Sequence, residues 1–201
     1  MHTLTLFYKP VRLDKVALEC FYWFDNWIFQ KKVYLMKLNF LILALAALVP
    51  MFTGFTWYHP KVMGNIWMKA SDLTEEQLKG ANMVLILLVA YVFSFFIAMA
   101  LNGMVIHQGH LYSILLNEPG FKDPNSEISK YIAEFMVKYG TNFRTFKHGA
   151  FHGALIGLFF AMPIVGTGAL FERKGFKYIA VHAGYWIITL CLMGGVICQF
   201  A

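Results

Sequence analysis

The sequence predicts an all-α integral membrane protein: a bundle of four transmembrane helices, with an amphipathic helix between the second and third spans. Three observations carry this expectation. Of 201 residues, 59% are hydrophobic and only 14% are charged, against roughly 25% charged in an ordinary soluble domain. The charges are segregated between long apolar runs, whereas a soluble helical core would mix charged and apolar residues at helical period. Four of those runs reach the roughly 20 residues that a helix needs to cross a hydrocarbon core about 30 Å thick. A helix satisfies its backbone polar groups within the segment, which an isolated strand cannot do in lipid.

Taken in order, residues 1–35 form an arm in which Lys9, Arg12, Lys15, Lys31 and Lys32 mix with Phe21, Trp23, Phe24, Trp27 and Phe29. The arm lacks secretory-signal architecture, because the first long apolar run begins only after Met36. Ala44 and Ala46 make a cleavage-like pair, but the run continues past them to Phe55, which favours a retained anchor. The transmembrane domain is expected over residues 36–201, with the arm dispensable for the fold and Met36 an alternative start.

The four spans are expected at about 38–57, 83–106, 149–171 and 178–200. Before the second, Asp72 and Thr74 are capping residues, Glu75 and Glu76 suit a positive helix end, and Gln77 stands three after Thr74. This predicts a second helix that begins about two turns ahead of its apolar run. In the third, Pro163 frees the carbonyl of Phe159 and predicts a kink. Gly149, Gly153, Gly157 and Ala161 recur every four residues and predict close helix packing, as do Ala180 and Gly184 in the fourth.

The connection between the second and third spans divides in two. Residues Asn117 to Ser126 are dense in turn formers and predict an exposed loop. From Ile128, the residues Ile132, Phe135, Tyr139, Phe143 and Phe146 recur at three- and four-residue spacing opposite Lys130, Glu134 and Lys138. That pattern predicts an amphipathic helix along the membrane surface or beneath the bundle.

The net charge of +6 does not mark a nucleic-acid binder, since the 17 Lys and Arg are spread over the arm and every connection without a basic stripe or reader motif. Residues 1–37 and the long connection carry eleven of them and the two short connections six, so the positive-inside rule places both termini in the cytoplasm. A start at Met36 would erase that bias. The three cysteines are expected as free thiols, because Cys191 and Cys198 lie seven apart on one helix, beyond disulfide reach, and Cys20 has no evident partner.

The stretch from Met36 carries Trp57-Tyr58-x-Pro60 and Gly64-x-x-Trp67-Met68, followed later by Leu170-Phe171-Glu172 and Ala183-Gly184-Tyr185. In this order, at the ends of these spans, the motifs resemble a family of small bacterial membrane proteins known as domain of unknown function 1761. The resemblance covers roughly residues 36–201, in two blocks separated by the long connection. It implies a four-helix protein of a bacterial inner membrane and supplies no activity, substrate or catalytic residue. The arm and the long central connection depart from the compact pattern of the family.

Two ends of the predicted bundle hold candidate residues. At the long-connection end, His107 and His110 close the second span while His148 and His152 open the third. His148 and His152 are four apart on one helix face, a spacing that suits one metal ion. Glu118 and Glu134 are the acidic residues within reach. At the short-connection end stand Trp57, Tyr58, His59, Pro60, Glu172, His182 and Tyr185, where Glu172 is expected to accept a hydrogen bond from Tyr58, His59 or His182. His152 and His182 are separated by roughly 21 Å of helix, so they cannot share a haem.

No nucleophile elbow, phosphate loop, catalytic carboxylate pair or zinc-protease helix is present in the sequence. The leading expectation is therefore a non-enzymatic membrane protein that binds a partner or small ligand at the short-connection end, with the bilayer and a second copy or another membrane protein as partners. The alternatives are a small oligomeric transporter or channel, with Tyr91, Ser94 and Asn102 along one face of the second span, and a metal or redox protein using the histidines. The leading expectation involves no cofactor, and the metal alternative would take a divalent ion.

Overall fold

The computed structural model describes residues 38–201. The arm, with its expected dispensability and its aromatic and basic residues, lies outside the described residues. Eight helices are used below: α1 (Phe40–Trp57), α2 (Asn65–Ser71), α3 (Glu75–Lys79), α4 (Met83–Val105), α5 (Gln108–Leu115), α6 (Glu127–Tyr139), α7 (Phe146–Phe171) and α8 (Phe176–Phe200). Among the described residues there is no strand, and α1, α4, α7 and α8 are long and apolar enough to cross a membrane.

Each long helix begins or breaks where its sequence dictates. Asn39 caps α1, its side chain accepting from the amide of Ile42 at 3.2 Å. The helix is interrupted at Ala47 and Leu48, just before Pro50, which has no amide proton to continue the ladder. Asn82 caps α4 through the amide of Leu85, and Thr145 caps α7 through the amide of His148.

The capping box at Thr74 and Gln77 is present, but it starts the separate helix α3 rather than an extension of α4. Gly80 ends α3, so the expected two-turn lead into the second span is replaced by a short helix with its own caps. In α7 the strain of Pro163 is absorbed by a π-helical turn over Gly157–Ala161, which widens the helix around the carbonyl of Phe159. The amphipathic α6 ends at Tyr139, and Gly140 to Thr145 separates it from α7, so Phe143 and Phe146 do not continue its face.

The most buried long helix is α8, which packs against α1, α2, α4 and α7. Its contact with α7 depends on small residues: a β-carbon at Gly149 or Gly153 would run into the backbone of Gly194 or Leu190. Gly184 serves differently, because a β-carbon there would stand 2.9 Å from the indole of Trp57. Leu43, Ala46 and Ala47 of α1, Ala98 and Leu101 of α4, and Met193 and Ile197 of α8 form the centre of the core. Tyr91 donates to the carbonyl of Ala44, and Ser94 to that of Ala90. Both hydroxyls are thus spent inside the bundle.

Candidate functional site

At the long-connection end, α4 stops because Ile106 adopts an extended conformation, and the chain turns at His107 into α5. His148 and His152 lie one turn apart at the start of α7. The turn brings His107 against them, so that one ring nitrogen from each of His107, His148 and His152 lies within 4.8 Å of the other two. His107 Nε2 and His148 Nε2 are 3.0 Å apart. The ring centroids of His148 and His152 are 4.5 Å apart, and those of His107 and His152 are 4.9 Å apart. His107 is exposed while the other two are half-buried.

His110 does not join them. Its ring stacks on His107 at 6.2 Å and stays outside the trio, as do Glu118 and Glu134. The group is therefore all imidazole. Partial desolvation of the exposed ring first, then the neighbouring His152 and His110, lowers His107 from the usual imidazole range and favours the neutral, ligating form.

The surroundings fix this end in place. Gln108 donates to the carbonyl of Asn142 at 2.8 Å, tying the start of α5 to the segment before α7. Arg144 donates to the carbonyls of Cys198 and Ala201. Gln199 accepts from the amide of Phe146 at 2.9 Å. The Cys198 thiol is buried and directed at the carbonyls of Val105 and Phe143. None of Gln108, Arg144 and Gln199 is marked by periodicity, since each acts through a backbone group brought near by tertiary packing.

The short-connection end gathers most of its expected residues. Trp57 donates through Nε1 to the carbonyl of Val181 at 3.0 Å, and Tyr185 donates to that of Pro50 at 2.9 Å. Tyr58 Oη lies 3.2 Å from His182 Nδ1, and its ring packs on Trp67 and Tyr185 with centroids 5.1 and 5.2 Å away. Tyr178, one turn before His182 on α8, lies 4.3 Å from it ring to ring. The i, i+4 spacing of Tyr178 and His182 is the signal in the sequence that adds Tyr178 to the set.

Three expected members behave differently. His59 is exposed and turned back to accept from the amide of Lys61 at 3.1 Å, capping the π-helical turn that starts at Pro60. Pro60 itself is exposed and belongs to that turn. Glu172 is exposed and, among the described residues, its carboxylate makes no hydrogen bond to Tyr58, His59 or His182. The hydrogen-bond partner of His182 is the half-buried Tyr58. Glu172 instead lines a cleft of about 200 Å³ together with Tyr178 and His182.

A family model described as protein of unknown function (DUF1761) matches residues 41–198. The chain belongs to the DUF1761 family. In this DUF1761 protein the match runs from α1 into α8 and takes in the central connection, so both ends described above fall within it. Neither a curated protein nor a solved structure gives a significant match.

Proposed function

We propose that this DUF1761 protein is an integral membrane protein that holds a late first-row divalent metal ion, zinc or copper(II), on His107, His148 and His152. Membrane insertion is supported by the outer face of α4, where Val84, Leu85, Leu88, Val92, Phe93 and Phe96 are all exposed. An apolar stripe of that length is costly in water and ordinary in lipid.

The observation that carries the metal reading is the convergence of three ring nitrogens, from segments about 40 residues apart, within 4.8 Å of one another. Nitrogens bound to a tetrahedral ion at about 2.0–2.1 Å stand roughly 3.3 Å apart, close to the 3.0 Å between His107 and His148. A hydrogen bond between those two rings would explain their approach to each other. It would not explain His152, which makes no side-chain hydrogen bond among the described residues and still faces both.

The donor set narrows the ion. Imidazole suits zinc, copper, nickel and iron, whereas magnesium and calcium prefer oxygen ligands. With no thiolate or carboxylate in the trio, a hard cation and an iron–sulfur cluster are both disfavoured. An ion on three imidazoles has room for a further ligand such as water.

The test is metal content of the full chain, purified from zinc- or copper-supplemented cells and dialysed. One ion per chain is expected, retained in H110A and lost in H152A. Equal metal in both variants would remove the assignment.

A further inference from the structure

The other end carries a second, independent feature. Among the described residues two buried side-chain polar atoms have no hydrogen-bond partner, Ser71 Oγ and His182 Nε2. Both lie at the short-connection end, away from the histidine trio. Natural interiors leave few such atoms unpaired, and one beside a cleft points to a missing ligand or water.

The proton on His182 can be assigned from its other edge. Tyr58 Oη has no other hydrogen-bond partner among the described residues, so its proton is paired only by donating to His182 Nδ1; burial, and then the nearby Tyr185 and Tyr178, raise the hydroxyl far above the usual phenol range and keep that proton in place. A neutral imidazole carries one proton, and with Nδ1 accepting, that proton is on Nε2. His182 Nε2–H is therefore an unpaired donor. Nδ1 is taken by Tyr58, and the His182 ring also borders a cleft between α7 and α8.

That cleft is lined by His182, Tyr178 and Glu172, with Ile164, Val165 and Ala169 as apolar walls. Glu172 supplies the complement to His182, because an ionised carboxylate only accepts. The cleft thus offers one buried donor, one exposed acceptor and an aliphatic lining.

We propose that this cleft binds an uncharged hydroxyl group attached to an alkyl or glyceryl chain. Its oxygen accepts from His182 Nε2–H, its proton is donated to the Glu172 carboxylate, and its carbons lie against Ile164, Val165 and Ala169. An anion would meet the Glu172 charge. An ether would satisfy His182 and leave Glu172 unmet. The same chemistry is available from a free short alcohol or from a glycerol-headed lipid.

The test uses the full chain in phosphatidylcholine nanodiscs, whose headgroup carries no hydroxyl, with 15N-labelled histidine. The His182 signal is assigned by its loss in H182Q. Titration with 1-butanol should shift the Nε2 resonance saturably, and the isosteric ether 1-methoxypropane should bind about tenfold more weakly, as expected for one lost charge-assisted hydrogen bond.

E172A alters an exposed side chain and should bring the alcohol down to the level of the ether without changing metal content. Y58F should weaken both by releasing the Nδ1 constraint. Nanodiscs containing monoolein distinguish the source: a shift at low mole fraction identifies a lipid glycerol, and a shift with butanol alone identifies a free alcohol. The proposal is overturned if alcohol and ether act equally, if neither moves the His182 signal, or if Nε2–H responds only to water exchange, which would mark a bound water and no more.

Discussion

Replacing Gly153 by Ala tests the packing that sets His148 and His152 in place. A β-carbon at Gly153 would stand 2.6 Å from the carbonyl carbon of Leu190 and 3.0 Å from the amide nitrogen of Cys191, where ordinary contact begins near 3.4 Å. These are backbone atoms of α8, so no rotamer change relieves the clash and the helices must separate by about 1 Å. Overpacking of this kind costs about 1–3 kcal/mol, and the rigid obstacle places G153A near the upper end.

The higher helix propensity of Ala returns up to about 1 kcal/mol, for a net loss of about 2 kcal/mol. G168A, on the same helix with nothing within 4 Å of its β-carbon, keeps the propensity gain without the clash and should be neutral or slightly stabilised. Both variants can be compared by reversible SDS unfolding in mixed micelles, followed by tryptophan fluorescence. If G153A is as stable as G168A, the close contact of α7 with α8 is wrong, and the placement of the histidines on it loses its support.

H107A, H148A and H152A should each weaken zinc binding by more than about 100-fold, since loss of an outer-shell partner alone costs 10–100-fold; isothermal titration against H110A, which should be near wild type, provides the comparison. Saturating zinc at about 100 times its dissociation constant should stabilise the wild type by about 2.7 kcal/mol and H152A by none, read in the same unfolding assay. W57F removes the donor to Val181 and should cost about 1 kcal/mol, while W57A also empties the space that Gly184 leaves for the indole and should cost more. Reporter fusions before Asn39 and after Ala201 should give signals on the same side of the membrane, as four crossings require; opposite signals would mean that one of the long helices does not cross.

The parts of the fold that depend on length and composition were legible in the sequence. The apolar runs locate α1, α4, α7 and α8 to within about three residues, and a capping Asn or Thr stands at the start of the first three. The effect of Pro163 was legible too, though as a kink; the π-helical turn that accommodates it depends on how α7 meets α8. The capping box at Thr74 was visible, but its helix ends at Gly80, where a local stop outweighs the apolar run that follows.

The sites were legible as residue sets and less so as geometry. The His148 and His152 pair follows from helical spacing alone. The addition of His107 and the exclusion of His110 depend on the extended backbone at Ile106, which no periodicity announces. At the other end, the expected hydrogen bond from Tyr58, His59 or His182 to Glu172 gives way to one between Tyr58 and His182, a pairing that depends on how α1 and α8 meet. His59 was assigned to the cluster by adjacency, yet the helix start at Pro60 needs an acceptor for the amide of Lys61, and His59 supplies it.

X-ray absorption at the zinc edge, on the dialysed full chain, tests the central claim most directly. The metal reading predicts a first shell of nitrogen or oxygen at about 2.0–2.1 Å, with outer-shell scattering from three imidazoles that persists in H110A, and no bound zinc in dialysed H152A. A chain that retains no zinc, or a spectrum identical in the wild type and H152A, would contradict it.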